Sequence, residues 1–244
     1  MTSGSTKNGS RASTSYMFRS NFSFSLSHML QIKNFVCNTL QENSYVVSDE
    51  TSEAVIIDCG AYFDDERKAI VNYILERNLK PTHLLCTHGH FDHCFGNDTI
   101  WHEYGLKPEV MAEDEWLMDI KSQMKSMMGI DYQREVPPTG HLLKAGEIIT
   151  FGTHQFTVLS TPGHTPGGVC FYCEAEKVVF TGDTLFRMSV GRTDFDRGSW
   201  EQLMKSLTTV IAHLPADTTA YCGHGPQTTI GDELRYNPYL RGTV

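Results

Sequence analysis

The stretch THGHFDH, residues 87–93, places three histidines and one aspartate within seven positions. It follows directly on the apolar residues 84–86, a pattern typical of the end of a buried strand. Neutral imidazoles and carboxylates are good ligands for zinc and related divalent ions. His88 and His90 are two positions apart, a spacing that does not place both side chains on one helix face. The stretch therefore predicts a strand whose following loop carries metal ligands.

Three further apolar runs end in the same way, with a potential ligand among Gly, Pro, Ser or Thr residues. The runs are FTVLSTPGH, which ends at His164, VVFTGD, which ends at Asp183, and TAYCGHG, which contains His224. Loops that follow strands in register meet along one edge of the sheets, and small residues let the backbone approach that point closely. We therefore expect these loops and THGHFDH to converge on one site.

The converging side chains suit a catalytic metal site. The candidate ligands are His88, His90, Asp92, His93, His164, Asp183 and His224. Seven ligands are too many for one tetrahedral ion, but they suit two ions that share a carboxylate and leave room for water. A closed structural zinc site would use several cysteines, and no cysteine here has a convincing ligand spacing. The sequence predicts an open site.

The other histidines and the cysteines are expected to have structural roles. Surface or hydrogen-bonded positions are expected for His83, His102, His141, His154 and His213. The chain has seven cysteines, an odd number, and most lie in apolar runs, which indicates reduced core thiols rather than disulfides. Cys170 and Cys173 form a CxxC within an expected strand, where their side chains would point to opposite faces.

Short apolar runs alternate with turn residues from position 31 onward, which predicts an α/β fold with strands in the middle and helices outside. Strands are expected at residues 32–37, 44–47, 54–58, 83–86, 110, 148–151, 156–160, 168–172, 178–181 and 219–222. Helices are expected at residues 64–77, 94–104, 113–128, 199–213 and 229–236, with Ser199 and Gln202 at the spacing of a capping box.

Residues 113–140 look like an insertion with an apolar stripe at helical spacing. The stripe contains Trp116, Ile120, Met124 and Met127 or Met128. Two interpretations stay open for it, ordinary core packing and an adaptable, Met-rich cover over the site.

The composition of the whole chain bounds the remaining possibilities. Its 244 residues and 40% hydrophobic content suit one large domain, expected at residues 29–244. A net charge of −9 argues against nucleic-acid binding, and no run approaches the 18 apolar residues of a membrane span. Residues 1–28 are rich in Ser and lack acidic residues, so we expect a disordered N-terminal extension. A transit peptide shares this composition, but the expectation is a cytoplasmic monomer or homodimer.

The motifs resemble, in order, those of the metallo-β-lactamase superfamily. They are THGHFDH, TPGHT (161–165), TGDTLF (181–186) and CGHG (222–225), preceded by VIIDCG (55–60). GRTDFDRGS (191–199) and RYNPYL (235–240) are similar to short, single-domain glyoxalase-II-like hydrolases. The resemblance covers residues 32–239 and implies a four-layer αβ/βα sandwich with the site between the sheet edges.

The resemblance also implies a role for each ligand. One divalent ion would be held by His88, His90 and His164, and a second by Asp92, His93 and His224. Asp183 would bridge the two ions. Zinc is the expected metal, with iron and manganese as alternatives.

Three further residues receive roles from the same resemblance. Asp58 would hold the metal loop by hydrogen bonds, and Asp92 would also act in catalysis by orienting the nucleophile or handling a proton. Cys59 stands where many relatives have Pro, and we expect a buried thiol without a chemical role.

The implied activity is hydrolysis of a small thioester such as S-D-lactoylglutathione. Full-length glyoxalase II enzymes bind glutathione through a basic C-terminal region, whereas only 20 residues, 225–244, follow His224 here. Arg187 and Arg192 are the candidates to take over substrate binding. The alternatives are a mononuclear-iron persulfide dioxygenase and a metallo-hydrolase of another ester, a phosphodiester or a β-lactam.

Overall fold

Two six-stranded sheets form the centre of the computed structural model, which describes residues 1–4 and 29–241. The first sheet contains β1 (Gln31–Cys37), β2 (Glu42–Ser48), β3 (Glu53–Ile57), β4 (Lys80–Leu85), β5 (Pro108–Met111) and β6 (Leu142–Leu143). Its strands lie side by side in chain order. The strands from β1 to β3 pair antiparallel, and those from β3 to β6 pair parallel.

The second sheet is built from the C-terminal half of the described chain. Its strands begin with β7 (Ile148–Phe151), β8 (His154–Ser160), β9 (Val169–Cys173) and β10 (Val178–Gly182). A small separate hairpin follows, formed by β11 (Leu185–Phe186) and β12 (Ser189–Val190). The sheet is completed by β13 (Thr219–Cys222) and β14 (Thr228–Thr229), in the order β14-β13-β10-β9-β8-β7.

Five α-helices lie outside these sheets in the described part of the chain. They are α1 (Asp64–Glu76), α2 (Asn97–Tyr104), α3 (Ile120–Met128), α4 (Trp200–Thr209) and α5 (Ile230–Tyr236). The expected single helix at residues 113–128 is wrong, because it is divided into a 3₁₀ segment, Ala112–Met118, and α3. Asp119 separates them with a non-helical backbone, and its side chain caps α3 by accepting a hydrogen bond from the Ser122 amide at 3.1 Å.

The ends of two other helices also differ from expectation. The helix expected from residue 94 begins at Asn97, because the chain first forms the 3₁₀ turn Phe91–His93, which carries two of the predicted ligands. The helix expected to residue 213 ends at Thr209, and a 3₁₀ turn covers Ile211–His213. Its capping residue is as expected, because Ser199 accepts a hydrogen bond from the amide of Gln202.

Alternating side chains in the strands produce a four-layer packing. In β3, Val55 and Ile57 face the second sheet, where Phe171 and other large side chains meet them. Ala54 and Ile56 point the other way and pack against α1 and α2. The outer face of the second sheet is covered in the same way by α4 and α5. Each fully buried Val, Leu, Ile or Phe side chain stabilises the fold by about 1.5–3 kcal/mol relative to an exposed one. The predicted αβ/βα sandwich is confirmed.

The cysteines follow the sequence-based interpretation. All seven are free and buried. Cys170 belongs to the cluster beneath α4, whereas Cys173 belongs to the cluster between the sheets, so the CxxC pair does face opposite sides of β9.

Four short strands were not predicted from the sequence. They are β6, β11, β12 and β14, and each has two residues, too few to show an alternation of apolar and polar side chains. The N-terminal extension stays a prediction, because residues 5–28 lie outside the described part of the chain.

Within the described residues, none of the helices has the length and apolar character needed to cross a bilayer.

Replacing Leu207 with alanine tests the packing of α4 on the second sheet. Leu207 is fully buried, so the cavity that the substitution leaves should lower the free energy of unfolding by about 2–5 kcal/mol. Leu75→Ala is the control, since Leu75 lies exposed on α1 and its loss should cost about 0.5 kcal/mol or less. Urea unfolding of both variants measures the difference. Equal midpoints for the two variants would contradict this packing.

Candidate metal centre

The seven predicted ligands lie just beyond the ends of four strands at one edge of the sandwich. The loop after β4 carries His88 and His90, and its 3₁₀ turn, Phe91–His93, carries Asp92 and His93. Shorter loops after β8, β10 and β13 supply the other three, which are His164, Asp183 and His224. Asp183 and His224 are half-buried and the remaining five are buried. The structure therefore brings all seven together.

The ligand atoms form two groups. One ligand atom from each of His88, His90 and His164 lies within 4.8 Å of the other two. Asp92, His93 and His224 form a second group within the same limit. These are the two triads that the sequence resemblance implied.

Asp183 lies between the two groups. Its Oδ2 is 3.5 Å from Nε2 of His164 in the first group and 3.7 Å from Nε2 of His224 in the second. Its Oδ1 is 3.3 Å from Nε2 of His93. Gly223 leaves space for this approach, because a Cβ atom at that position would collide with the Asp183 carboxylate. One carboxylate therefore reaches both groups, as a bridging ligand must.

Backbone carbonyls orient two of the imidazoles. Nδ1 of His164 donates a hydrogen bond to the carbonyl oxygen of Arg192 at 2.7 Å, and Nδ1 of His224 donates one to Leu40 at 3.0 Å. A carbonyl oxygen can only accept, so Nδ1 carries the proton in both rings. The lone pair is then on Nε2, the atom that faces the centre.

Asp58 orients the loop after β4. Its Oδ1 accepts a hydrogen bond from the Thr87 amide at 2.7 Å, and its Oδ2 accepts one from the Thr87 hydroxyl at 2.7 Å. Its Oδ2 also lies 3.0 Å from Nδ1 of His93, and the Thr87 hydroxyl lies 3.0 Å from Nδ1 of His88. Asp58 has a φ of 51°, a left-handed conformation that Asp tolerates better than most residues. Asp58 thus lies where the resemblance implied.

Several polar atoms at the centre have no hydrogen bond within the described protein, although Nε2 of His93 and Oδ1 of Asp183 face each other at 3.3 Å. They are Nε2 of His88, Nε2 of His93 and Oδ1 of Asp183, all buried. An unpaired buried polar atom costs about 1–3 kcal/mol, so their convergence indicates a binding partner that the protein itself does not supply. Imidazole nitrogens and carboxylate oxygens in this number fit two divalent metal ions.

The electrostatics of the site differ between the two groups of ligands. Although burial lowers the pKa of His93 and His224, the facing carboxylates of Asp183 and Asp92 raise it above its usual value, so these two rings must lose a proton when a metal binds. Burial lowers the pKa of His88 well below its usual value and that of His90 to about 3, so both rings are neutral and offer a lone pair. Burial alone would raise the pKa of Asp183, but the adjacent rings of His93, His164 and His88 together outweigh it and hold that pKa well below its usual range.

Asp114 is a site residue that the sequence reasoning missed. Its fully buried carboxylate accepts hydrogen bonds from the Gly89 amide at 3.3 Å, the Thr165 hydroxyl at 2.6 Å and the Gly167 amide at 2.6 Å. It therefore ties the insertion to the two loops that carry His90 and His164. Burial raises the pKa of Asp114. In the acidic run EDEW nothing distinguishes it from a surface carboxylate.

The apolar stripe of the insertion lies partly in the core and partly on the surface. Ile120 and Met124 are buried in a cluster with Phe91 and Phe95, beside the metal loop. Met127 is exposed and lines the cavity at the centre. The stripe thus packs in the core at Ile120 and Met124 and reaches the cavity at Met127, and whether it covers the site stays open.

The two arginines proposed for substrate binding lie in different places. Arg192 lines the cavity that contains the candidate ligands. Arg187 lines a separate cavity with Thr228 and Tyr236, and its part in substrate binding stays a prediction. Arg187 occupies the turn between β11 and β12, and the hairpin carries it away from the ligands.

The other histidines lie away from the centre, as expected. His83 pairs with Glu109 at 2.7 Å and His141 with Glu147 at 2.6 Å, whereas His213 is exposed. His102 pairs with Glu135 and His154 with Asp49. Cys59 is a buried thiol whose pKa is raised by burial, also as expected.

Comparisons with known proteins agree with this architecture. Residues 37–224 match the sequence profile of the Metallo-beta-lactamase superfamily. A relative from Haemophilus influenzae, named hydroxyacylglutathione hydrolase GloC, is 34% identical over 86% of this chain and 98% of its own length.

Two solved structures are similar to the whole described domain. A protein described as BLEG-1 B3 metallo-beta-lactamase has a TM-score of 0.80 and 34% identity, over 87% of this chain and 100% of its own. A protein named TTHA1623, in a di-iron-bound form, has a TM-score of 0.74 and 34% identity, over 85% of this chain and 100% of its own.

Replacing Asp183 with alanine tests the bridge. The purified protein should bind close to two divalent ions per chain, and Asp183→Ala should lose at least one because both groups lose their shared ligand. Elemental analysis after dialysis measures the content. Asp217→Ala is the control, since Asp217 is an exposed carboxylate paired with Lys177. Full metal content in Asp183→Ala would contradict the dinuclear arrangement.

Replacing Asp114 with alanine tests its effect on the ligand loops. The substitution leaves two buried amides without acceptors, and we expect metal affinity to fall about 10–100-fold, the usual loss when a group that orients ligands is removed. Asp119→Ala is a matched control in the same insertion, because it removes only the cap of α3. Competition with a chromogenic chelator measures both affinities. Equal affinity in the two variants would assign Asp114 no such effect.

Proposed function

This chain belongs to the metallo-beta-lactamase superfamily, and we propose that it is a metal-dependent hydrolase of S-acyl thioesters. The observation that carries the proposal is the complete double set of ligands, with Asp183 between the two groups. The relative named hydroxyacylglutathione hydrolase supports this reaction class, since it covers nearly the whole of both chains.

The proposed cofactor is a pair of divalent ions, with zinc first and iron as the alternative that the di-iron neighbour supports. One ion would be held by His88, His90 and His164 and the other by Asp92, His93 and His224, with Asp183 as the bridge. When bound, two such ions would lower the pKa of water and stabilise negative charge on the carbonyl oxygen.

The side chains of this site would position the reactants. Asp92 lines the cavity and its Oδ2 lies 3.4 Å from Nε2 of His224, so its carboxylate can accept a hydrogen bond from the attacking water. In the overall reaction the water oxygen bonds to the acyl carbon, the carbon–sulfur bond breaks, and the thiol leaves with one of the water protons. In this proposal Asp92 moves that proton.

The cysteines support water as the nucleophile. All seven are buried, and burial raises the pKa of Cys170 to about 11 and that of Cys222 to about 12. Thiols of this kind do not form the thiolate that covalent catalysis needs.

The main alternative, a mononuclear-iron persulfide dioxygenase, differs in what it consumes. An oxygenase needs dioxygen and one redox-active iron, whereas hydrolysis involves no redox change. The complete second group of ligands, Asp92, His93 and His224, supports the two-ion hydrolase.

Thiol release without oxygen distinguishes these reactions. We expect the metal-loaded protein to release thiol from a thioester panel, including S-D-lactoylglutathione, at the same rate under anaerobic and aerobic conditions. Asp183→Ala should lose most of this activity, about 100-fold or more, because it removes the shared ligand. Oxygen uptake with glutathione persulfide and hydrolysis of a chromogenic β-lactam are measured in parallel. Rapid oxygen uptake without anaerobic thiol release would refute the thioesterase proposal.

A further inference from the structure

The walls of the cavity at the metal centre are largely apolar. The cavity has a volume of about 370 Å³. Beyond the candidate ligands its walls are formed by one Ser, one Arg and six apolar side chains, which are Leu40, Phe91, Met127, Phe186, Val190 and Phe195. A wall of this kind favours ligands that lose apolar surface from water on binding.

The apolar side chains lie beside both groups of ligands. The ring of Phe195 is 5.1 Å from the His90 ring and 6.0 Å from the His164 ring, next to the first group. The ring of Phe186 is 6.1 Å from the His224 ring, next to the second group. A carbonyl carbon placed between the two groups would therefore have an apolar surface on either side.

Arg192, the one cation that the described residues contribute to the cavity wall, already has a carboxylate partner. Nε of Arg192 donates a hydrogen bond to Oδ1 of Asp194 at 2.6 Å, and one terminal nitrogen donates to Oδ2 at 2.6 Å. The guanidinium also stacks over the Phe195 ring at 4.3 Å. Asp194 therefore accepts from two of the five N–H donors of Arg192, and its negative charge offsets part of the positive charge that an anionic substrate would meet, in an ion pair that is largely exposed.

From these contacts we infer that the substrate is a thioester with an apolar, uncharged acyl group, and that Asp194 excludes anionic acyl groups by occupying Arg192. The inference rests on the proposed thioester hydrolysis and names its substrate class. Two features give the selectivity: the apolar walls bind the acyl chain, and the paired arginine attracts a carboxylate less than an unpaired arginine would. Glutathione thioesters, which carry two carboxylates on the thiol side, should be poor substrates for the same reason.

A matched panel of thioesters tests the preference. S-acetyl-, S-butyryl- and S-succinyl-N-acetylcysteamine share one uncharged thiol and differ only in the acyl group. We expect kcat/KM to rise by about fourfold per added methylene from acetyl to butyryl. Butyryl should exceed the similarly long but anionic succinyl by about tenfold or more, and should also exceed S-D-lactoylglutathione.

The outcomes separate this inference from the proposed function. Cleavage of succinyl or lactoylglutathione thioesters as fast as the butyryl ester would overturn the apolar preference and leave thioester hydrolysis standing. Cleavage of none of them by fully metal-loaded protein would overturn the proposed function, and the inference with it.

A variant of Asp194 tests the charge-masking step by a gain of activity. Asp194→Asn removes the carboxylate charge that faces Arg192, so we expect kcat/KM for the succinyl thioester to rise by about fivefold or more, mainly through a lower KM, while that for the butyryl thioester changes by less than about twofold. Asp131→Asn is the control, because Asp131 is an exposed carboxylate paired with Lys125. Melting temperatures verify that both variants fold. An unchanged succinyl-to-butyryl ratio in folded Asp194→Asn would overturn the role of Asp194.

Discussion

The arrangement of the site depends on one buried carboxylate, that of Asp58. It lies at the end of β3 and binds the amide and the hydroxyl of Thr87, the first residue after the apolar end of β4. It also contacts Nδ1 of His93 at the far end of the same loop. Both ends of the THGHFDH loop are therefore attached to a neighbouring strand, and the loop supplies four of the seven candidate ligands. Without this attachment, burying four polar side chains together would be unfavourable.

The layers of the fold make the convergence possible. The pair β3 and β4 in the first sheet is parallel, and so is the pair β10 and β13 in the second. Parallel neighbours end at the same edge of a sheet, so their loops start side by side. The cluster between the sheets, with Phe156 and Phe180 at its centre, holds the two edges at a constant separation. The metal centre therefore occupies the gap between two rigid edges rather than a flexible loop.

The two nitrogens have different roles in four of the histidine rings at the site. Nδ1 fixes the orientation of the ring, and Nε2 faces the metal centre. These four imidazoles have Nδ1 at a partner outside the centre and direct Nε2 towards the other candidate ligands. Two of those partners, the carbonyls of Arg192 and Leu40, belong to residues whose side chains line the cavity. The residues that orient the candidate ligands thus also shape the space in which a substrate would lie, which couples the geometry of the centre to its selectivity.

Local sequence patterns were sufficient to predict the α/β class, most long strands, the layer order and the seven residues that converge at the edge. They sufficed because an apolar run followed by Gly, Pro and a histidine or aspartate is a local pattern. The loops that follow such strands also meet at the same edge of the sheets, so their side chains lie close together. The division of the helix at Asp119, the buried position of Asp114 and the displacement of Arg187 from the cavity depended on the tertiary structure. For Asp114 the physical reason is that its partners, Thr165 and Gly167, are distant in the chain. The position of Arg187 depends on where the β11–β12 hairpin lies in the fold. The sequence could not predict the apolar walls of the cavity or the position of the Arg192–Asp194 pair beside the ligands. The wall residues come from separate segments of the chain, and only the tertiary structure brings them together.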